Sequence, residues 1–280
     1  MVGPAALFLV VLTLLPIALL ATLSVGKLAW VAGQAGFSFV GLRNFADLPA
    51  DTLLRASFRN TLVFALAAVT AQIVLGLGLA VLTSGTRRGR VAYRTTFLLP
   101  MLLPGIVVGA IWKLMYGFDY GVINQLLGLV NLDPQNWLGS RQLALGSIIV
   151  VDIWHWTPFC YLLLLAGLES LPQDVYEAAR IDGAGAWRTF RHVTLPLLAP
   201  AITVTFTFRL IMAFKVFDEV YLLSGGGPGT ATEVISFTIY RRFFTEDRAG
   251  YGAAMSLTTC ALVLALVAAT FLAARRWRRL

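Results

Sequence analysis

The sequence predicts an all-helical, polytopic membrane protein with six transmembrane helices. Composition is the first reason: 58% of the residues are hydrophobic, only 13% are charged and the mean hydropathy is +0.79, far outside the range of soluble domains. The second reason is the length of the apolar stretches, because a helix needs roughly 20 apolar residues to cross a bilayer core of about 30 Å. Stretches of that length are about twice as long as barrel strands, which favours helices.

Six stretches of the chain meet this length requirement. The third contains Pro100 and Pro104, which predict a kinked helix because proline removes a backbone hydrogen bond. The fifth carries charged residues and has the weakest apolar pattern. We expect residues 1–280 to form a single transmembrane domain. In order, the stretches are about Gly3–Val25, Thr61–Thr83, Thr95–Met115, Leu143–Gly167, Leu198–Leu223 and Gly252–Ala274.

The first stretch is expected to stay in the mature protein. It lacks the basic start and the short, bounded apolar core of a cleaved signal peptide. Residues 1–16 contain no charge at all, which leaves a longer native N-terminus open.

Clusters of arginine predict the orientation, because Lys and Arg in short loops stay on the cytoplasmic side. One cluster lies between the second and third stretches and another ends the chain, so we expect both termini and the segment 168–197 to be cytoplasmic. Arg241 and Arg242, on the outer side, are a mild exception. The net charge of +8 therefore indicates contact with anionic lipid headgroups and not nucleic acid. The clusters are Arg87, Arg88, Arg90, Arg94 and Arg275, Arg276, Arg278, Arg279.

The polar segment 168–197 is predicted to fold as a helix, a tight turn and a second helix. Ser170 and Gln173 have the spacing of a capping box, so the first short helix should begin there. Gly183 should end that helix in the left-handed conformation that glycine adopts most easily. The second helix carries Trp187 and should stop at Pro196.

One face of the first short helix is made mostly of small side chains. Val175, Ala178, Ala179 and Asp182 share it at helical spacing, and small residues let a backbone approach a groove closely. Spacing alone leaves two other interpretations open: an amphipathic loop on the headgroups, or a loop packed on its own helix bundle.

The loop also carries a family signature. The run Glu177–Ala184, with Trp187 and Leu195-Pro196 after it, has the spacing E-A-A-x-x-D-G-A-x-x-W. It resembles the cytoplasmic coupling loop of permease subunits of binding-protein-dependent ABC importers. Nearly the whole chain is similar to the carbohydrate-uptake type of these permeases, which includes maltose and glycerol-phosphate permeases. The supporting stretches are Phe39–Phe45, Trp156–Phe159, Phe217–Tyr221 and Gly225–Pro228.

The resemblance implies a type I ABC importer permease fold in a bacterial or archaeal cell membrane. In that family two similar permeases pair to form the pore, two ATPases dock on the coupling loops and an extracytoplasmic solute-binding protein delivers the substrate. Glu177 is implied to contact a basic residue of the ATPase. Ala178, Ala179 and Gly183 would let the helix seat there, and Asp182 belongs to the same coupling set.

The chain is expected to bind no cofactor itself. It contains no G-x-x-x-x-G-K-[ST] phosphate loop, so ATP and Mg²⁺ would be bound by the partner ATPase. The glycine-rich run Gly225–Gly229 lacks the lysine of such a loop and is predicted to be a turn.

Charged residues inside predicted spans indicate the substrate pathway, because they are costly there and generally face a cavity or a partner. Two helix faces carry them on either side of the loop, and the resemblance implies the same positions. Aromatic and hydrogen-bonding groups suit a sugar, a polyol or a glycerol-phosphate. Alternatively, Asp152 and Arg209 neutralise each other. The candidates are Asp152, His155, Trp156, Phe159, Arg209, Met212 and Ala213; Lys215, Asp218 and Glu219 are expected to be solvated or packing residues.

A polytopic membrane protein could also belong to two other functional classes. An intramembrane enzyme would need a nucleophile with a base or a metal site, yet the chain has two histidines, His155 and His192, and no H-E-x-x-H. Cys160 and Cys260 fall inside predicted spans and are expected to be packing residues. An ion-driven secondary transporter is the stronger alternative, and its sign would be inverted repeats with interrupted helices.

Overall fold

The computed structural model describes residues 3–31, 34–84 and 90–277, which are predominantly helical. Five helices in this part of the chain are long and apolar enough to cross a membrane. The elements in chain order are α1 Gly3–Ser24, β1 Gly26–Val31, β2 Gln34–Phe39, α2 Arg43–Ala46, α3 Thr52–Ser84, α4 Arg90–Leu98, α5 Gly105–Met115, α6 Val122–Leu129, α7 Ala144–Glu169, α8 Gln173–Ile181, α9 Ala186–Thr189, α10 Leu195–Phe214, α11 Asp218–Leu223, α12 Ile235–Tyr240 and α13 Ala249–Trp277.

The third predicted span is a broken helix and not a kinked one. After α4 the chain makes one 3₁₀ turn at Pro100–Leu102 and becomes extended at Leu103, and α5 begins after Pro104. Both prolines lack the N–H that a continuous helix needs, and a proline also disfavours helical backbone in the residue before it. α5 has 11 residues, about 16 Å at roughly 1.5 Å per residue, so it is too short to cross the bilayer core alone.

Two other boundaries differ from the prediction. α3 begins at Thr52 and not at Thr61, because the side chain of Asp51 caps it: Oδ1 accepts hydrogen bonds from the backbone N–H groups of Leu53 (2.8 Å) and Leu54 (3.1 Å). α10 ends at Phe214 and not at Leu223. The chain then turns and resumes as the separate helix α11.

The central helices α3, α7 and α10 pack on one another, α13 packs on α10, and α1 lies against α13. Small residues allow the closest approach. A Cβ atom on Gly76 of α3 would lie 2.8 Å from the Cβ of Cys160 on α7, so only glycine fits there. Cys160 is a buried packing residue as predicted, whereas Cys260 lies exposed on α13.

A β-hairpin follows α1, which the sequence pattern did not predict. β1 and β2 pair antiparallel, from Gly26 opposite Phe39 to Val31 opposite Gln34. Asn44 on α2 donates hydrogen bonds to the backbone carbonyls of Ser24 and Gly26, both at 2.9 Å, and so fixes the hairpin to the end of α1.

An ion-pair network joins α3 to α13 near the hairpin. Arg242 donates to Asp51 (2.9 Å) and also to Glu246, and the hydroxyl of Tyr251 donates to Asp51 at 2.9 Å. Arg241 pairs with the buried Glu233 at 3.2 Å. The two arginines that are an exception to the charge pattern are therefore neutralised by acids in the fold.

The glycine-rich run Gly225–Gly229 is a turn, as predicted, and it is held by α3. Asn60 donates to the backbone carbonyls of Thr230 (2.8 Å) and Glu233 (3.0 Å). Gly225, Gly226 and Gly229 all have positive φ, which glycine adopts without strain.

The predicted orientation stays a prediction. Several of the arginines on which it rests, namely Arg87, Arg88, Arg278 and Arg279, lie outside the described residues.

The Asp51 network generates a prediction about stability. Burial alone would raise the pKa of Asp51, but the backbone hydrogen bond from Leu54, the bond from Tyr251 and the charge of Arg242 together lower it. A carboxylate with a lowered pKa stabilises the fold above its unfolded pKa of about 3.9 and loses this contribution as the pH falls through the lower, folded value.

We therefore expect Asp51→Asn, which retains a cap but loses the charge, to destabilise the protein by about 1 kcal/mol at pH 7. Asp51→Ala should cost about 1 kcal/mol more, because the cap is also lost. Thermal unfolding in detergent at pH 7 and near pH 3.5 measures both, and the difference between wild type and Asp51→Asn should shrink at the lower pH. Asp47→Asn, at an exposed site, is the control. Equal losses for all three variants would contradict the capping argument.

Candidate functional site

The segment between α7 and α10 contains the predicted helix and tight turn. α8 ends at Ile181, Gly183 has φ +70°, and the N–H groups of Gly183 and Ala184 bond back to Arg180 and Ala179, which is the Schellman arrangement. The predicted capping box is wrong. Ser170 caps the C-terminus of α7 instead and donates its hydroxyl hydrogen to Gly167, so Pro172 occupies the N-cap of α8.

The second loop helix does not stop at Pro196, contrary to the prediction. α9 passes through a π turn at Phe190–Thr194 directly into α10, and Pro196 lies in the first turn of α10. Proline is tolerated in a first turn because its missing N–H has no partner to lose there. Helical structure is therefore continuous over Ala186–Phe214.

One face of α8 packs against the rest of the chain, and most of its predicted contact residues are exposed. Ala179 is buried, and the Tyr176 and Thr194 hydroxyls lie 3.1 Å apart, tying α8 to the π turn. Ile181 and Trp187 are large apolar residues with 87% and 72% of their surface exposed, as is common at interaction surfaces. Glu177, Ala178, Asp182 and Gly183 are all exposed as well.

A cavity of about 340 Å³ lies between α7, α10, α11 and the break in the third span. Five of the seven predicted pathway residues line it: Asp152, His155, Trp156, Arg209 and Met212. The other two lie elsewhere. Phe159 packs edge-on against Trp156 with ring centroids 6.3 Å apart, and Ala213 is buried in the core. The remaining lining residues are Met101, Leu103, Gly105, Lys215, Val216, Phe217, Asp218 and Glu219.

Asp152 and Arg209 form a buried ion pair in the wall of this cavity. Arg209 Nη2 donates to Asp152 Oδ2 at 2.8 Å, and Arg209 Nε donates to Gln72 Oε1 at 2.7 Å. Gln72 Nε2 closes the ring by donating to Asp152 Oδ2 at 2.8 Å. The guanidinium also lies 4.9 Å from the ring centroid of Trp156, a cation–π contact. Three helices are thus joined through three buried side chains.

Gln72 is a part of the site that the sequence reasoning missed. It is fully buried in the middle of α3. A search for ionisable residues inside spans passes over an amide, although an amide in an apolar span also needs hydrogen-bond partners. That requirement is the signal that would have found it.

His155 and Glu219 form a second buried pair. His155 Nδ1 lies 3.2 Å from Glu219 Oε1, and Nε2 lies 3.1 Å from the backbone oxygen of Leu103 in the broken span. A neutral imidazole has one N–H, yet both ring nitrogens face an acceptor oxygen. Satisfying both contacts requires one additional proton, on the imidazole or on the carboxyl group.

Glu219 was expected to be a solvated or packing residue near the outer end; it is packed and not solvated, but it also belongs to the cavity wall, which was not expected. It is 5% exposed and lines the cavity. The reason is the early end of α10, which lets α11 fold back against α5 and α7. A Cβ on Gly109 of α5 would lie 3.0 Å from Leu222, so glycine permits this close contact. Lys215 and Asp218 are exposed.

Residues 72–279 match the protein family described as the binding-protein-dependent transport system inner membrane component. The chain belongs to this family. The match covers the cavity residues, the loop and α13. It agrees with the resemblance that the loop signature indicated.

Curated relatives and solved structures agree with this assignment. The chain is 40% identical over 241 residues to the trehalose/maltose transport system permease protein MalF of Thermococcus litoralis, covering 86% of this chain and 81% of that protein. It is 33% identical over 268 residues to the sulfoquinovosyl glycerol transport system permease protein SmoG of Agrobacterium fabrum, covering 96% and 87%. The fold matches a chain of a bacterial alginate ABC transporter in complex with its alginate pentasaccharide-bound periplasmic protein, with a TM-score of 0.85, 23% identity and coverage of 99% and 93%.

The chain is therefore a multi-pass permease subunit of a binding-protein-dependent ABC importer with the type I permease fold. It is a transporter component and not an enzyme, since the ATPase of such importers is a separate subunit. Nothing in these similarities supports the ion-driven alternative.

The buried ion pair generates a test by double-mutant cycle. We expect Asp152→Leu and Arg209→Met each to destabilise the permease by about 3–5 kcal/mol, because each leaves an uncompensated buried charge. The double variant should recover a large part of that loss. Thermal unfolding in detergent gives the three values, with Lys215→Met as an exposed control. Additive losses in the double variant would show that the two residues are not energetically coupled.

Proposed function

We propose that this permease forms half of the translocation pathway for a carbohydrate or a related polar solute and couples that pathway to a partner ATPase. The observation that carries the proposal is the position of the cavity between the two helices that flank the loop. α7 is joined to α8 by three residues, and α10 continues from α9 without a break.

The solute class is supported by the relatives and by the lining of the cavity. The names of the related permeases include trehalose, maltose and sulfoquinovosyl glycerol. The cavity volume is at the lower end of the roughly 300–1,000 Å³ typical of ligand pockets, and a second, similar permease would supply the facing half. Sugars, polyols and glycerol-phosphates remain the candidate solutes.

The pathway residues divide into a rigid wall and groups open to the solute. Asp152 and Arg209 line the cavity and are hydrogen-bonded to Gln72, and Nη1 of Arg209 makes no hydrogen bond among the described residues. We propose that this N–H group and the ring of Trp156 contact the solute. Met212, which is half-exposed, adds a flexible apolar contact.

The other predicted pathway residues would act indirectly. His155 would position Glu219, and Phe159 and Ala213 would act through packing.

The loop is proposed to be the ATPase dock. Glu177, Ala178, Asp182 and Gly183 are exposed for such a contact, while Ala179 supports α8 from behind. ATP and Mg²⁺ would be bound by two partner ATPase subunits, and an extracytoplasmic binding protein would deliver the solute. The loop and both termini would be cytoplasmic, in a bacterial or archaeal cell membrane, with anionic lipid around the basic ends.

Coupling would follow from the helical continuity between loop and cavity. Arg209 lies on the same continuous helix as the loop residue Trp187. When the ATPases close, a displacement of the loop moves α10 as a rigid unit and with it one wall of the cavity. Such a rigid-body motion would switch the side from which the cavity is accessible.

We expect Glu177→Lys to uncouple ATP hydrolysis from transport, because it places a cation where the ATPase is implied to offer one. Solute-stimulated ATPase activity of the reconstituted complex should fall at least 10-fold, with the thermal stability of the permease unchanged. Asp174→Lys is the matched control, since Asp174 is an exposed acid in the first turn of the same helix. Normal stimulation and normal co-purification of the ATPase with Glu177→Lys would contradict the docking role.

A second test addresses the cavity. In a permease with Cys160→Ala and Cys260→Ala, single cysteines at Trp156 and Met212 should react with a small hydrophilic maleimide at least 5-fold faster than one at Leu210, which is buried in the core. A transported solute should slow the reaction at Trp156 and Met212. Equal rates at all three positions would mean that the cavity is not open to water.

A further inference from the structure

We propose that a cluster of aromatic side chains beside the cavity is a carbohydrate-binding subsite that holds a sugar ring before it enters the cavity. The cluster, called here the aromatic patch, consists of Phe217, Tyr221, Tyr240 and Phe244. The proposal rests on the proposed solute class and adds a binding site that begins at Phe217 in the cavity wall and extends beyond the cavity.

The aromatic patch is continuous with the cavity. Phe217 lines the cavity and stacks on Tyr221, with ring centroids 5.5 Å apart and ring planes 16° apart. The rings of Phe217 and Tyr240 meet edge to face with centroids 5.1 Å apart, and the centroids of Tyr240 and Phe244 are 5.5 Å apart. The rings therefore lead from the cavity outward, at the end of the bundle opposite the loop.

The outer rings of the patch are open. Tyr221, Tyr240 and Phe244 have 47%, 36% and 68% of their surface exposed. The hydroxyl groups of both tyrosines have no hydrogen-bond partner among the described residues. An exposed apolar surface with free hydroxyl groups at its edge matches a sugar ring, which has an apolar C–H face and a rim of hydroxyl groups.

The patch rests on a rigid base. Phe237 is buried and contacts Phe217, Tyr221 and Tyr240 at centroid distances of 6.0, 6.2 and 6.5 Å. The backbone N–H of Ile235, which begins the same helix, donates to the Thr61 hydroxyl on α3 at 2.9 Å.

The opposite side of the patch is also held in place. Glu219, two residues before Tyr221, is paired with His155. Rings that are fixed before binding lose little conformational freedom when a ligand arrives.

The neighbouring polar groups favour a sugar over a lipid tail. Lys215 and Asp218 are exposed on either side of Phe217 and line the same cavity. A lipid chain would bring an apolar surface against these charges, which is unfavourable, whereas the hydroxyl groups of a sugar can hydrogen-bond to both.

The test is ligand binding to the permease pair in nanodiscs, followed by saturation-transfer NMR with trehalose, maltose and maltotriose. We expect saturation transfer to the C–H protons of at least one sugar. Tyr221→Leu and Tyr240→Leu should each weaken binding about 3- to 10-fold, while Tyr221→Phe and Tyr240→Phe should retain most of it. Tyr120→Leu is the matched control, because Tyr120 is an exposed tyrosine outside the patch.

The outcomes separate this proposal from the proposed function. If Trp156→Ala weakens sugar binding but the leucine variants bind like wild type, the patch is not a subsite and the cavity assignment stands. If the full complex with its binding protein transports a sugar but the permease pair gives no saturation transfer, the patch proposal alone is overturned. If the full complex transports none of the three sugars and none binds, the patch proposal is overturned for these sugars, and transport of a polyol or a glycerol-phosphate by the same complex would leave the proposed function standing.

Two other occupants of the patch are tested by labelling. A cysteine at Phe244, in the permease without its native cysteines, should react with a water-soluble maleimide in the assembled complex. Reaction only with a lipid-soluble reagent would place the patch against acyl chains. Protection by the second permease alone would make it a subunit interface. Either result overturns the proposal.

Discussion

The hydrogen-bonded ring of Gln72, Asp152 and Arg209 is the constraint on which the rest of the bundle depends. A buried ion pair has to be satisfied completely, because an unpaired charge inside an apolar bundle is very unfavourable. This requirement sets the rotation and the depth of α3, α7 and α10 relative to one another. Two members of the ring, Asp152 and Arg209, line the cavity, so the geometry of the cavity and the stability of the bundle depend on the same hydrogen bonds.

The broken third span makes room for the second polar pair. A continuous helix would satisfy all of its own carbonyl groups, but the break at Pro100–Pro104 leaves the Leu103 carbonyl free to accept from His155. Irregular backbone at membrane depth is tolerated only where protein or a water-filled cavity surrounds it. Here it is packed against α7 and α11.

The backbone connects the loop to the opposite end of the bundle through one continuous helix. The π turn at Phe190–Thr194 replaces the loop that an isolated second helix would need. The loop is therefore connected to the cavity wall by a continuous helix. At the end of the bundle opposite the loop, Asn60 and Thr61 of α3 hold the segment that follows the glycine-rich turn, through hydrogen bonds with Thr230 and Ile235.

Much of this protein was determined by the sequence alone. Apolar stretches of bilayer length identified the membrane class, and the spacing around Glu177 and Gly183 identified the loop and the family. Helical periodicity brought Asp152, His155, Trp156, Arg209 and Met212 to one cavity, because these positions depend on local geometry within two helices. The tertiary structure alone decided the rest. Gln72 and Glu219 come from elements distant in sequence from their partners, and α11 reaches the cavity only because α10 ends at Phe214. Periodicity describes one helix at a time, whereas contacts between helices depend on where each helix ends and which polar groups still need a partner.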